Sequence, residues 1–125
     1  MALQIDIVTL FPEMFQGVFG VGIVRRAVEA GLVRLHIHPL RPYGVGRHRI
    51  TDDAPYGGGG GMIMKPEPLF AAVENILGVS AGDPLDRERY LANLADQDTA
   101  VILLSPQGRL LTQSWARELA RRRRL

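Results

Sequence analysis

Ala100-Val101-Ile102-Leu103-Leu104 is an uninterrupted apolar run, and the turn residues Ser105-Pro106-Gln107-Gly108 follow it directly. An unbroken apolar run of this length is typical of a strand that is covered on both faces, as in parallel sheets. After the turn, Thr112 is placed to cap a helix that continues through Trp115 and Leu119. The stretch therefore predicts a buried strand, a turn and a helix, which is a repeating unit of α/β proteins.

Strands and helices alternate along the rest of the chain as well. Residues 4–10 are rich in β-forming side chains, and residues 32–38 alternate apolar and polar, as in a strand with one buried face. Residues 23–30 between them have helical spacing and stop at Gly31. Further helices are predicted to begin near Pro12, Pro66 and Asp86. This order predicts an α/β fold, with a mainly parallel sheet flanked by helices and no internal domain boundary.

The composition fits a single compact domain. The chain has 125 residues, 46% of them hydrophobic, and no cysteine, which excludes disulfides, thiolate metal sites and a cysteine nucleophile. No apolar run approaches the roughly 20 residues of a membrane-spanning helix. The first residues lack the basic and then hydrophobic pattern of a signal peptide. We therefore expect a cytoplasmic protein that contacts no membrane.

Arginine supplies nearly all of the positive charge. Lys65 is the only lysine, so 14 of the 15 basic residues are arginine, and the sequence pI is about 9.5. The planar guanidinium suits phosphates and nucleobases. A genome rich in G and C also favours arginine codons, whatever the function. The charge is thus compatible with a polyanionic partner, and both explanations stay open.

A glycine-rich loop is the most informative polar segment. It runs from Arg47-His48-Arg49 through Asp52-Asp53 and Pro55-Tyr56 into five consecutive glycines, Gly57, Gly58, Gly59, Gly60 and Gly61. Glycine lets backbone amides approach a phosphate or a base without a Cβ in the way. The basic side chains suit phosphates, Asp52 and Asp53 suit a base edge or proton transfer, and Tyr56 suits stacking. A flexible linker is the alternative, but linkers seldom lead into a hydrophobic segment and a proline-started helix.

The sequence disfavours several other familiar sites. A P-loop needs lysine and then serine or threonine straight after its last glycine, and Met62 stands there instead. The nearest dinucleotide fingerprint, Gly20-x-Gly22, has Arg25 where the third glycine belongs. His36 and His38 share one face of a predicted strand, but exposed histidines are more often solvated than metal-bound, so we predict no metal site.

Three motifs, taken together, resemble those of bacterial tRNA (guanine-N1)-methyltransferases, the TrmD family of the SPOUT class. They are Ile7-Val8-Thr9-Leu10-Phe11-Pro12-Glu13-Met14-Phe15, the glycine-rich loop just described, and Leu104-Ser105-Pro106-Gln107-Gly108. They occur in the family's order, and the resemblance spans residues 5–119. Two departures are Gly60, whose place is usually proline or alanine, and residues 79–97, a longer connection than usual.

The resemblance implies a homodimeric, knotted enzyme that moves a methyl group from S-adenosylmethionine to N1 of the guanosine 3′ of the tRNA anticodon. It implies tRNA, and not DNA, as the partner. The implied contacts to the methyl donor come from Leu104, Ser105, Pro106, Gln107 and Gly108. The implied contacts to the substrate come from Arg47, His48, Asp52, Tyr56, Gly57, Gly58, Gly59 and Gly61. The transfer needs removal of the N1 proton, stabilisation of charge on O6 and an in-line sulfonium methyl group.

The resemblance also implies that residues 1–125 form only the N-terminal part of the methyltransferase domain. In the family, the knot, the aspartate taken as the base and a C-terminal tRNA-binding domain come later, so we expect no catalytic base up to Leu125. We interpret the arginines at 121–124 as the end of the last helix rather than as a nucleic-acid tail. A parallel sheet without its later strand exposes an edge, so we expect poor solubility or dimerisation through that edge.

Two alternative functions stay open. In one, the chain is a non-catalytic module that binds RNA. In the other, which lies outside the family, it is an enzyme that binds a phosphate ligand with residues 57–61. Salt-sensitive binding of tRNA would favour the first alternative, and thermal stabilisation by a nucleotide would favour the second.

Overall fold

The computed structural model of the protein describes residues 1–80, 82–83, 85–94 and 98–125. The strands are β1 (Leu3–Thr9), β2 (Val33–Pro39), β3 (Asp52–Asp53) and β4 (Ile63–Met64). The α-helices are α1 (Glu13–Phe19), α2 (Gly22–Glu29), α3 (Pro66–Leu77), α4 (Arg87–Leu94) and α5 (Gln113–Leu119), and a short 3-10 turn covers Arg41–Tyr43. The predicted α/β class with a parallel sheet is confirmed, because β1 and β2 pair in parallel and helices connect the strands.

The sheet has four chain segments side by side at one end. Strands β1 and β2 pair in register from Leu3↔Val33 to Thr9↔Pro39. On the other side of β1, Arg124 forms parallel bridges with both Gln4 and Thr99. Residues 123–125 therefore lie between β1 and residues 98–100, and this places the last residues of the chain inside the sheet.

The prediction of a buried strand at residues 100–104 was wrong. Ala100 donates its amide to the carbonyl of Arg124 at 3.0 Å, but no ladder continues past it in the described ranges. Val101 is 47% exposed and Leu104 is 91% exposed. The apolar run is uncovered because the neighbouring segment, residues 123–125, pairs only with the start of residues 98–104. Dimerisation or poor solubility through this edge stays a prediction.

The other predicted helices and strands agree with the structure to within a few residues. The interpretation of the arginines at 121–124 as the end of the last helix was wrong, because α5 ends at Leu119 and Arg124 bridges to Gln4 and Thr99 in the sheet. In β2, Arg34 and His36 are exposed while Val33, Leu35 and Ile37 are partly buried, as the alternation predicted. His38, expected on the exposed face, is also partly buried, because it contacts Asp6. Asp86 caps α4 as predicted, since its Oδ1 accepts the amide of Arg89 at 3.4 Å. Part of the long connection at residues 79–97 lies outside the described residues, namely 81, 84 and 95–97.

The segment between β2 and α3 is more regular than its composition predicted. Leu40 is completely buried, and Thr51 is also buried. Val45 and Ile50 form an antiparallel bridge, and Tyr43 is tied to α3 by a 2.7 Å hydrogen bond from Asn75. The segment is thus tied to α3 at Tyr43, and the turn between Val45 and Ile50 is closed by their bridge.

The carboxylate of Asp6 joins four parts of the fold. It is 8% exposed, and it accepts hydrogen bonds from Arg124 Nε at 2.8 Å and from Gln4 Nε2 at 3.0 Å. His38 Nε2, on β2, lies 2.7 Å from its other oxygen. Arg124 also donates to the carbonyl of Ile76 in α3 at 2.9 Å. Burial alone would raise the pKa of Asp6, but the hydrogen bonds and the charge of Arg124 outweigh it and hold the pKa below its usual value of 3.8.

We predict that Asp6→Asn lowers the free energy of unfolding at neutral pH by about 2 kcal/mol, because hydrogen bonds to a charged group contribute about 1.5–3 kcal/mol. Since the pKa of Asp6 is lower in the folded state, its stabilisation is complete above 3.8 and is lost as the pH falls through the folded-state value. Denaturant unfolding over a pH series should therefore show the variant approaching the wild type in acid.

Glu29→Gln is the control for this prediction. Glu29 pairs with Arg25 at 2.7 Å on the surface of α2, where both side chains are more than half exposed. An exposed pair of this kind contributes about 0.5 kcal/mol or less. Equal losses from the two substitutions would contradict the role given to Asp6.

Candidate functional site

The glycine-rich loop is the tip of a β-hairpin. Strands β3 and β4 pair through Asp52↔Met64 and Asp53↔Ile63, so residues 54–62 form the loop between them. Directly beyond the pair, the amide of Lys65 donates to the carbonyl of Thr51 at 2.8 Å. The hairpin holds the run of glycines in place, because the base of the hairpin is hydrogen-bonded. Thr51, the residue just before β3, is also buried.

Asp53 reinforces the base of the hairpin. Its Oδ1 accepts the amide of Ala54 at 2.8 Å, and its Oδ2 accepts Lys65 Nζ at 3.2 Å. These bonds, the first to Ala54 and the second to Lys65, lower the pKa of Asp53 below its usual value. Both carboxylate oxygens of Asp53 are thus engaged within the hairpin, which suits a structural role.

Four of the five loop glycines have backbone angles that favour glycine. The φ angles are 76° at Gly57, 79° at Gly58, 126° at Gly59 and 83° at Gly61. Gly60 lies outside this left-handed region, and a Cβ added there meets nothing within 4 Å. An alanine side chain therefore fits at residue 60, in line with the alanine expected there in the family.

The polar side chains predicted to contact a substrate are exposed, with one exception. Tyr56, at the start of the loop, has a relative accessibility of 103%, and Arg47 and His48 project from the turn between Val45 and Ile50. Asp52 is half-buried in β3. The hairpin thus brings Asp52, Tyr56 and the glycines into one loop system, with the basic turn just before it in the chain.

The second predicted loop forms a tight turn. The amide of Gly108 donates to the carbonyl of Ser105 at 3.1 Å, and the amide of Gln107 donates to Ser105 Oγ at 3.2 Å. A Cβ on Gly108 would lie 3.2 Å from the carbonyl oxygen of Ser105, which is tighter than ordinary contact. Within the described ranges, no hydrogen bond, ion pair or ring contact joins this turn to the glycine loop.

Two features near these loops were not found from the sequence. Gly44 lies against the backbone of Arg49, where a Cβ would clash, and Arg49 itself has a left-handed φ of 51°. The guanidinium of Arg109 lies over the ring of Trp115, 3.6 Å from its centroid. No sequence pattern indicates the contact between Gly44 and Arg49. The contact between Arg109 and Trp115 has one sequence signal, an arginine and a tryptophan six positions apart.

The two histidines on β2 contact each other and Asp6. The rings of His36 and His38 are stacked with centroids 6.3 Å apart, and His38 contacts the carboxylate of Asp6. In the part of the chain that the structure describes, no group of three or more potential ligands is placed to hold a metal ion. None of the helices in that part has the length and apolar character needed to cross a membrane.

Comparison with known proteins connects these loops to a family. The family model described as tRNA (Guanine-1)-methyltransferase TrmD matches residues 3–125. The tRNA (guanine-N(1)-)-methyltransferase of Dehalococcoides mccartyi is 49% identical over 123 residues, which are 98% of this chain and 44% of that protein. The protein of the same name from Dictyoglomus turgidum is 45% identical and also matches 98% of this chain, with 43% of its own length covered.

A solved structure agrees with the sequence matches. The crystal structure of tRNA (m1G37) methyltransferase from Aquifex aeolicus has a TM-score of 0.72 and 26% sequence identity to this chain. The likeness covers 100% of this chain and 49% of that one. The chain thus spans less than half the length of the relatives and of the solved structure named here.

We predict opposite effects of alanine at two neighbouring glycines. Gly58→Ala forces a side chain into a φ of 79° and should destabilise the hairpin by about 1–2 kcal/mol. Gly60→Ala, in the same loop and equally free of neighbours, should be neutral or stabilise by about 0.4–1 kcal/mol through the unfolded state. Denaturant unfolding of both variants checks this, and equal effects would mean that the loop does not hold the φ angles given above.

Proposed function

The chain belongs to the TrmD family of tRNA (guanine-1)-methyltransferases, and on that premise we propose that it takes part in methyl transfer from S-adenosylmethionine to N1 of a guanine in tRNA. The observation that carries the proposal is the β3–β4 hairpin, which presents a glycine loop with its amides and Tyr56 open to a partner. In the proposal, tRNA is the partner, the enzyme acts in the cytoplasm as a homodimer, and residues 1–125 are the N-terminal part of the methyltransferase domain.

In this proposal the hairpin binds the target nucleotide. Tyr56 is fully exposed and offers a ring on which a base can stack. The glycine amides beside it reach a base or phosphate without steric hindrance. Arg47 and His48, in the turn that precedes β3, pair with phosphates, and Asp52 accepts a hydrogen bond from the base edge. Tyr56, Arg47 and His48 thus have the exposure that these roles need, whereas Asp52 is half-buried.

The turn at residues 104–108 is the proposed contact for the methyl donor. Leu104 is 91% exposed and precedes the hydrogen-bonded turn of Ser105 and Gly108, so an apolar surface lies next to polar backbone groups. An adenosine has a flat apolar face and a polar edge, and this combination fits it. The methyl donor supplies an electrophilic sulfonium methyl group when bound, and the residues of the turn bind and orient it.

The proposal assigns binding and positioning to these residues, and it assigns no base. Asp53 is committed to Lys65 and Ala54, and Asp6 is committed to Arg124 and His38. The hydrogen bonds that these two carboxylates already accept lower the pKa of both, so the proposal gives them structural roles.

A non-catalytic RNA-binding role is the second candidate function. It is favoured by the exposed arginines of the turn before β3. The two candidates differ in S-adenosylmethionine. Specific binding of the methyl donor is expected only for the methyltransferase role, whereas tRNA binding that weakens with salt is expected for both.

We predict that Tyr56→Ala weakens tRNA binding by about 5- to 100-fold, because stacking on an aromatic ring contributes about 1–3 kcal/mol per base. The melting temperature should not change, since the side chain is fully exposed. Tyr56→Phe is the matched control, because it keeps the ring and should bind nearly as well as the wild type. Fluorescence anisotropy with labelled, unmodified tRNA gives the three dissociation constants.

Equal binding by all three proteins would remove Tyr56 from the proposed site. Equilibrium dialysis with radiolabelled S-adenosylmethionine then separates the two candidate functions. Saturable binding supports the methyltransferase role, and tRNA binding without any binding of the methyl donor supports the RNA-binding role.

A further inference from the structure

Arg109 is the first residue after the Ser105–Gly108 turn, and it is stacked on α5. Its guanidinium carbon lies 3.6 Å from the centroid of the Trp115 ring, which is close contact between two planar groups. The backbone of Trp115 is held in the first turn of α5, because its amide donates to Oγ1 of the capping residue Thr112 at 3.1 Å. The stack therefore connects the exit of the turn to the capped first turn of a helix.

The turn has few other anchors. Its residues are exposed, and its hydrogen bonds run between Ser105 and the amides of Gln107 and Gly108. Across the described ranges, no hydrogen bond, ion pair or ring contact ties residues 101–108 to another element. Among the described residues, the stack of Arg109 on Trp115 is thus the side-chain contact that links the exit of this turn to α5.

We propose that Arg109 and Trp115 are positioning residues that hold the turn at 104–108 in the shape that binds the adenosine part of S-adenosylmethionine. The inference rests on the proposed function, in which this turn contacts the methyl donor. A loop that is already ordered loses less conformational freedom when its ligand binds, so its affinity is higher. Without the stack, the turn keeps its internal bonds but is free to move as a unit, and binding must then order it.

The chemistry of the two side chains makes the inference specific. A guanidinium is planar and weakly hydrated, so it stacks on an indole, whereas the ammonium of lysine is a strongly hydrated point charge. Tryptophan is the best aromatic partner for a cation, followed by tyrosine and phenylalanine. Arg109→Lys should therefore keep the charge but lose part of the positioning, and Trp115→Phe should lose part of it as well.

The stack can be observed without any ligand, because Trp115 is the only tryptophan in the sequence. Arg109→Ala removes the cation from the ring and should change the emission spectrum and the near-ultraviolet circular dichroism of Trp115. Arg117→Ala is the matched control: it removes an exposed arginine from α5 itself and should leave both spectra unchanged. Unchanged spectra in Arg109→Ala would overturn the stack in solution.

The role of the stack is tested by calorimetric titration of the full chain with S-adenosylmethionine. Arg109→Ala should weaken binding about tenfold, which corresponds to about 1.4 kcal/mol. Arg109→Lys should fall between Arg109→Ala and the wild type, and Arg117→Ala should match the wild type. The affinity for tRNA should be the same in all four proteins, since the stack lies outside the hairpin. A general loss of structure would lower both affinities and overturn the inference.

A second substitution, on the tryptophan side of the stack, tests the same contact. Trp115→Leu removes the ring and keeps an apolar side chain, and it should weaken S-adenosylmethionine binding as much as Arg109→Ala does. The double variant should show no further loss, because both substitutions remove the same contact. Additive losses would overturn the inference. If the wild type and Arg109→Ala bind S-adenosylmethionine equally well, the inference about the stack is wrong but the proposed function stands. If the wild type does not bind S-adenosylmethionine, both are wrong.

Discussion

The buried carboxylate of Asp6 is the interaction on which the rest of the structure depends. It lies in the middle of β1 and receives hydrogen bonds from Arg124, 118 positions away, and from His38 on β2. Through Arg124 it also reaches the carbonyl of Ile76 in α3. Because a buried charge is costly unless it is paired, each of these partners is constrained to its place. The same contacts insert residues 123–125 between β1 and residues 98–100, and α3 in turn supports the segment that carries the glycine hairpin.

Both candidate loops are exposed, yet they are held in different ways. The glycine hairpin is closed by the β3–β4 pair and by Lys65, so its base is fixed while its tip, including Tyr56, stays open. The turn at Ser105 has internal hydrogen bonds, and Arg109 connects it to α5 through Trp115. Binding loops need this combination of an accessible surface and a fixed base, because freedom lost on binding reduces affinity.

Local patterns predicted much of this fold. The alternation at residues 32–38 predicted β2 and most of its exposed face, and the glycine run predicted a loop, whose left-handed backbone angles the structure then showed. The apolar run at residues 100–104 misled, because hydrophobicity shows that a segment needs cover but not which segment supplies it. The bonds of Asp6 could not be predicted either, since they depend on chain segments far apart in sequence. The stack of Arg109 on Trp115 could be predicted only in part. The two residues flank a helix cap that the sequence predicts, but their contact depends on the backbone geometry of the turn, which the sequence does not give.

Hydrogen–deuterium exchange of the chain, with and without S-adenosylmethionine and unmodified tRNA, tests the central claim most directly. It reports which backbone amides each ligand protects, and the two loops lie in separate segments of the chain. We predict that S-adenosylmethionine slows exchange at residues 104–109 and that tRNA slows exchange at residues 54–62. Protection of neither segment by its ligand, with both ligands present at saturating concentration, would contradict the assignment of the two loops.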